Sequence, residues 1–152
     1  MNGKATPFVN CALRMNCTLC VHGGRIFTAN MEENKLVEQS KNFAVAIVRI
    51  CKQIREERGE KVLVNQLLRS GTSIGANIHE GNYASSRLDF INKFQIALKE
   101  CYETQYWLDI FRRTEYLTND EFKRYNDECS KIRKMLTASL KTAKKNEDNR
   151  GL

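Results

Sequence analysis

A chain of 152 residues has room for one domain with a substantial core and too little for two. It contains one proline, and strand-type alternation is scarce, so the composition favours an all-α fold and argues against sheet proteins. The net charge is +7, but three of these charges belong to residues 1–30, which contain no acid; the +4 that remains is compatible with RNA, DNA or an acidic protein partner.

The sequence shows no sign of a membrane segment. No stretch reaches the eighteen or so apolar residues that a membrane span needs. The apolar run near the start is interrupted by polar residues and lacks a clear cleavage site, so we do not expect a signal peptide. Three cysteines sit singly on apolar helix positions, where Cys acts as a small hydrophobe: Cys51, Cys101 and Cys129. We therefore expect a cytoplasmic protein with reduced thiols and no membrane partner.

Residues 1–31 differ from the rest of the chain, because they have no helical period and no acid. We interpret them as a disordered leader, or as an extension from an upstream start codon with Met31 as the natural beginning. Within them, Cys17 and Cys20 have the Cys-x-x-Cys spacing of zinc and redox sites, and Cys11 and His22 would complete four ligands. The surrounding sequence does not support such a site, and we expect neither a metal nor a cofactor.

The next region predicts two helices. Apolar residues at spacings of three and four predict the first over residues 32–58, with Gly59 as its left-handed cap. The second starts at residue 60 or 61 and reaches residue 79 or 80, where Gly81 and Asn82 close it. Its interior contains Gly71 and Gly75, each costing a helix about 1 kcal/mol relative to Ala. Such a helix is expected to pack closely against another one; a loop or kink is the alternative.

Two longer helices follow. The third is predicted over residues 87–113, with Ser86 as its N-cap and a sustained 3.5-residue apolar period. The fourth starts after Thr118, which forms a capping box with Glu121, and ends near Lys145. The short connections force neighbouring helices to run antiparallel. We therefore predict an antiparallel up-down four-helix bundle over residues 32–146 and a frayed tail over residues 147–152.

Basic residues of the fourth helix lie opposite its apolar seam and form a candidate nucleic-acid-binding surface. The candidate residues are Arg124, Lys131, Lys134, Lys141 and Lys145 on this face, Arg133 and Lys144 on its flanks, and Arg112 and Arg113 at the end of the third helix. Such a stripe could follow a phosphate backbone. The alternative is a solvated helix face, since cations are favoured near the negative end of a helix.

Other chemistry has little support in the sequence. The chain has two histidines, no plausible serine–histidine–acid set and no glycine-rich phosphate loop, so we predict that it is not an enzyme. The aromatic residues Tyr102, Tyr106 and Trp107 lie at the edge of the third helix's apolar face. We interpret them as core periphery or a subunit interface in preference to a platform for stacking bases.

The second and third helices resemble the family called four helix bundle proteins, which includes proteins encoded in intervening sequences of bacterial 23S rRNA genes and the accessory variability determinant of diversity-generating retroelements. The resemblance covers about residues 33–145. Its motif, Ser-Ile-x-x-Asn-Ile-x-Glu-Gly, occupies residues 73–81, although the family typically has no Gly at position 75 and often has Ala at position 79. The residues that match are Arg69, Ser73, Asn77, Glu80 and Gly81, and we assign them a structural role.

The resemblance implies a protomer that assembles into a ring or barrel, a homopentamer in the retroelement branch, where it binds reverse transcriptase and RNA or DNA. We therefore expect a non-enzymatic, homo-oligomeric, nucleic-acid-associated accessory protein. The alternative function is a protein-interaction scaffold whose basic face binds an acidic protein.

Overall fold

A computed structural model describes residues 30–148 of the chain, and the side chains of residues 35–144. Four helices follow one another and the described part contains no strand, which confirms the all-α prediction. The helices are α1 (Asn30–Arg58), α2 (Val62–Asn82), α3 (Arg87–Arg113) and α4 (Asn119–Asp148). The predicted leader and frayed tail, with the leader's cysteine motif, lie outside the described residues except for their innermost two residues each.

Three helices have bounds that differ from the predicted ones by one to three residues; α2, for example, starts at Val62. Helix α4 continues past Lys145 to Asp148, two residues into the predicted tail, with neither Gly nor Pro between them. Helix α1 starts at Asn30, two residues before its predicted start. Asn is a residue type favoured at helix starts, which fits this earlier beginning.

Helix α2 ends at Asn82, the second residue of the predicted Gly81–Asn82 closure, and Gly81 itself lies inside the helix. A Cβ atom at Gly81 would lie 2.6 Å from Cε2 of Phe94 on α3. The absent side chain therefore serves close packing between α2 and α3. Gly59, by contrast, has φ of 69° directly after α1 and is the left-handed cap that we predicted.

The two predicted N-caps are confirmed by hydrogen bonds. Ser86 Oγ accepts from the Asp89 backbone N–H at 3.1 Å. Thr118 Oγ1 accepts from the Glu121 N–H at 3.2 Å, and Glu121 Oε2 accepts from the Thr118 N–H at 2.9 Å. This reciprocal pair is a full capping box at the start of α4.

Close packing at the α2 glycines is also confirmed, and the loop or kink alternative is wrong, because α2 is continuous through both. A Cβ at Gly71 would lie 2.8 Å from Cγ2 of Ile47, and one at Gly75 would lie 3.4 Å from the carbonyl oxygen of Ser40. Both neighbours belong to α1. The glycines thus bring the α1 and α2 backbones together around one apolar core.

That core is contributed by all four helices and has few polar members. Its largest fully buried side chains are Phe43, Ile47, Val64, Leu67, Ile74, Ile78, Phe94, Thr104, Leu108, Phe111, Ile132 and Leu136. The hydroxyl of Thr104 donates to the Glu100 carbonyl at 2.7 Å, so its burial leaves no unpaired donor.

Contacts between consecutive helices pair rising residue numbers on one helix with falling numbers on the next. Arg55 of α1 donates to Asn65 of α2 at 2.8 Å, near the α1–α2 connection, whereas Ser40 lies beside Gly75. The same order relates α3 to α4: Gln105 donates to Asn126 at 2.8 Å, and Arg87 donates to the Ala143 carbonyl at 3.0 Å.

Candidate nucleic-acid interface

The seam of α4 that enters the core determines which of its side chains face outward. Tyr125, Cys129, Ile132, Leu136 and Leu140 are buried on one side of the helix. On the remaining surface lie five exposed lysines. One is Lys123 near the start of the helix, and the other four form what we call the lysine row: Lys131, Lys134, Lys141 and Lys144. No carboxylate among the described residues forms an ion pair with any of them. Lys145 belongs to α4, but its side chain lies outside the described part.

Two arginines of the predicted surface are held against tyrosine rings. The Arg124 guanidinium lies 4.6 Å from the ring centroid of Tyr125 and donates to that residue's hydroxyl at 2.7 Å. The Arg133 guanidinium lies 5.1 Å from the ring centroid of Tyr102 on α3. Arg133 Nε is buried with no hydrogen-bond partner among the described residues, so stacking on the ring is its main described interaction.

The other predicted pair, Arg112 and Arg113, shares one carboxylate. Both guanidinium groups donate to Asp109 one turn earlier, each at 2.7 Å. These hydrogen bonds, Arg112 first, hold the pKa of the Asp109 carboxyl below its ordinary value. The structure thus separates the predicted set into the unpaired lysine row and arginines that are already engaged.

Two of the motif residues join α2 to α3, and a third bonds to the backbone of α2 itself. Arg69 forms an ion pair with Glu103 and lies 3.8 Å from Glu100, and Glu80 forms an ion pair with Lys93. The Glu80 hydrogen bond raises the pKa of the Lys93 ammonium. Asn77 donates to the carbonyl of Ser73, one turn earlier, at 2.9 Å. These contacts are structural in kind.

The Glu100 carboxylate is partly buried where α2 meets α3, and this disfavours its charged form. Glu100 Oε2 is buried without a hydrogen-bond partner among the described residues. Burial, followed by repulsion from Glu103, raises the pKa of the Glu100 carboxyl. The Arg69 guanidinium opposes this rise, because it favours the charged carboxylate.

An open groove of about 400 Å³ runs between α1 and α2. It is lined by Lys41, Ala44, Thr72, Gly75, Ala76, His79 and Glu80. Its two candidate chemical groups are engaged elsewhere, since His79 packs against the Tyr83 ring and Glu80 binds Lys93. Among the side chains of residues 35–144, no three of His, Cys, Asp or Glu come together as a metal site would require.

The three aromatic residues that the sequence placed together differ in their exposure. Trp107 is half-buried, packs against the core and donates to Glu103 at 3.3 Å. Tyr102 and Tyr106 point outward and are 54% and 58% exposed. Sequence reasoning missed the contact of Tyr102 with Arg133, because these residues lie on different helices and no local spacing relates them.

None of the helices in the described part of the chain is long and apolar enough to cross a membrane.

The helical part of the chain is similar to known proteins. The structure is similar to that of a protein of unknown function from the S23 ribosomal protein family of Bacteroides thetaiotaomicron VPI-5482, with a TM-score of 0.72 and 48% sequence identity; the match covers 73% of this chain and 99% of that one. A comparison with curated proteins gives no match. The family of 23S rRNA-intervening sequence proteins matches residues 32–138, which span most of the four helices. The chain belongs to this 23S rRNA-intervening sequence protein family.

Proposed function

We propose that this chain is a non-enzymatic, homo-oligomeric accessory protein that binds nucleic acid through the lysine row of α4. The observation that carries this proposal is the set of exposed lysines with no described carboxylate partner. Since a helix rises 1.5 Å per residue, Lys131 and Lys141 lie about 15 Å apart along one side of a straight rod. Such a rod can lie along several phosphates.

Lysine suits contacts that do not depend on base sequence. Its ammonium is a point charge on a flexible stem, so it binds phosphate without fixed geometry. Each phosphate that it neutralises releases condensed counterions, which makes the affinity sensitive to salt. The lysine row would therefore act as a sequence-independent phosphate contact, and the family's link to 23S rRNA makes RNA the first ligand to test.

We also infer the arrangement and assembly of the protomer. The paired rising and falling contacts support an antiparallel up-down bundle. Exposed apolar side chains on α1 and α3, such as Val45, Val48 and Leu88, support burial between subunits. The resemblance adds a pentamer as the expected number and a reverse transcriptase as a partner in the retroelement branch. The single, apolar-face cysteines support a cytoplasmic location.

Binding to RNA and to DNA over a salt series tests the function directly. We expect the logarithm of the association constant to fall linearly with the logarithm of salt concentration. Replacing Lys131, Lys134 and Lys141 by Glu should weaken binding at least about tenfold and reduce the salt slope by about two to three. The matched control is the same reversal at three exposed lysines of α1: Lys35, Lys41 and Lys52.

The control distinguishes a local site from an effect of net charge, because both variants change the charge equally. Equal losses in the two variants would move the contact away from the lysine row. If neither RNA nor DNA binds at low salt, the nucleic-acid proposal is wrong, and the basic face is left to an acidic protein.

A further inference from the structure

Exposed aromatic rings and cations meet on the outer surface of α3 and α4. We call Tyr102, Tyr106 and Arg133 the aromatic platform. The Arg133 guanidinium lies 5.1 Å from the Tyr102 ring centroid, and Tyr106 meets Trp107 edge-on with ring centroids 5.1 Å apart. More than half of each tyrosine is nonetheless exposed. The rings are thus held in place and still accessible.

The platform has a regular geometry. Tyr102 and Tyr106 are separated by four residues, so they lie on the same face of α3 about 6 Å apart along its axis. Arg133 connects the platform to α4. Lys131 and Lys134 of the lysine row are close to it in the sequence but project from the helix in other directions.

Lys99, one turn before Tyr102, is exposed on α3. Cations therefore border the rings on both helices. The acids beside Tyr106, Glu103 and Asp109, are each paired with arginine.

The charge around the rings bears on what covers them. If two copies paired through this surface about a twofold axis, the cations of one platform would lie opposite those of the other. Like charges placed opposite each other disfavour such a pairing. An anionic ligand with flat, apolar faces is complementary to both features, and nucleic-acid bases on a phosphate backbone have that combination.

We infer that the aromatic platform stacks the bases of single-stranded nucleic acid while the lysine row contacts its phosphates. This inference rests on the proposed function and names its substrate class. Base faces are covered by their neighbours in a duplex, whereas an unpaired strand can splay its bases onto aromatic side chains. Stacking on tyrosine tolerates any base, and the Arg133 guanidinium extends the stacking surface.

The test compares binding of the full chain to an oligouridylate strand and to the same strand annealed to its complement. Replacing Tyr102 and Tyr106 by Ala should weaken single-strand binding about tenfold or more and change duplex binding less than about twofold. Replacing both by Phe keeps the rings and should preserve binding. Tyr83→Ala is the matched control, because Tyr83 is a 79% exposed tyrosine that ends α2 away from the platform's residues.

A second measurement uses the unmodified chain. Trp107 is the only tryptophan and touches Tyr106, so its fluorescence reports on the platform. Saturating oligouridylate should change the Trp107 emission, and saturating duplex should leave it close to that of the free protein. This readout also covers the case in which the Ala variant does not fold.

The outcomes separate this inference from the function on which it rests. If both ligands bind with the salt dependence of phosphate contacts but the tyrosine variants bind like the wild type, the platform inference is wrong and the proposed function stands. If the wild type binds neither ligand, both fail. A lower oligomer mass for the folded Ala variant would identify the platform as a subunit contact and overturn the inference.

Discussion

At the scale of single residues, Gly71 and Gly75 lie one turn apart on α2 but have different neighbours. A Cβ at Gly71 would lie 2.8 Å from Cγ2 and 3.2 Å from Cβ of Ile47, a side chain that is fully buried. Because Ile47 Cβ is fixed to its backbone, the overlap can be relieved only by moving α1. At Gly75 the nearest atom is 3.4 Å away, which is close to ordinary contact.

We therefore predict opposite effects of alanine at the two positions. At Gly71 an overpacking cost of about 1–3 kcal/mol outweighs the gain in helix propensity of up to about 1 kcal/mol, so the free energy of unfolding should fall by about 1 kcal/mol or more. At Gly75 the propensity gain remains, and the same free energy should stay constant or rise by up to about 1 kcal/mol. Urea denaturation of the two variants measures this, and equal effects would contradict the assigned packing.

The buried cysteines behave as core residues. Burial raises the pKa of the Cys51 thiol to about 12, against a lowering by Arg55. The Cys101 thiol pKa is also raised, first by its hydrogen bond with Cys129 and then by burial. Cys51 and Cys101 are therefore thiols at neutral pH, whereas the thiolate is the reactive form. This agrees with the expectation that they pack as small hydrophobes.

At the scale of elements, the start of α4 depends on the capping box of Thr118 and Glu121. We predict that Thr118→Ala lowers the free energy of unfolding by about 1 kcal/mol, because it leaves the Glu121 N–H without its described partner. Thr118→Ser keeps the hydroxyl and should retain most of that stability. The measurement is urea denaturation followed by helical circular dichroism.

Thr137→Ala is the control on the same helix. Thr137 is exposed in the interior of α4, and its hydroxyl donates to the Arg133 carbonyl at 2.8 Å. In the helix interior that carbonyl also accepts a backbone N–H, so it keeps a partner when the hydroxyl is removed. Because alanine also slightly favours the helix, Thr137→Ala should change the free energy of unfolding little. A loss at Thr137 as large as that at Thr118 would show that the box has no special role.

Much of this element level was predictable because its determinants are local. The bounds of α3 agree with the prediction at both ends, since Ser86 caps one end and the 3.5-residue period runs without a break. The end of α2 was not predictable in the same way. Glycine is a residue type that commonly ends a helix, so the sequence suggests a stop at Gly81. Only the position of Phe94 on α3 shows that the missing side chain serves packing.

For the candidate site, too, the features set by local spacing could be predicted and those set by helix packing could not. The outward position of the lysine row follows from the period of α4 alone. The pairing of Arg112 and Arg113 with Asp109 could be predicted from their spacings of three and four residues. The contact of Arg133 with Tyr102 was not, because it requires knowing how α3 and α4 pack.

At the scale of the whole molecule, some of the described charges are paired and others are not. Ion pairs at the α2–α3 junction and at the end of α3 hold acidic and basic groups together, and such exposed pairs contribute little to stability. The lysine row has no such partners among the described residues. Its positive potential is therefore available to an anionic ligand.

Assembly would multiply that potential. We predict that light scattering gives a mass that is a multiple of the 17.6 kDa chain, with five copies expected from the family resemblance. An oligomer presents several lysine rows, so RNA long enough to reach two subunits should bind about 10²-fold or more tighter than RNA that reaches one. A monomer would show only the modest gain that comes from more sites per RNA.

The Glu variant of Lys131, Lys134 and Lys141 separates assembly from binding within this prediction. Because the lysine row is exposed and outside the core, its reversal should leave the oligomer mass unchanged while removing the dependence of affinity on RNA length. If the mass falls with the charge reversal, the lysine row belongs to a subunit contact. If the wild type has the mass of one chain, the length effect has no structural basis, and the exposed apolar residues of α1 and α3 need another partner.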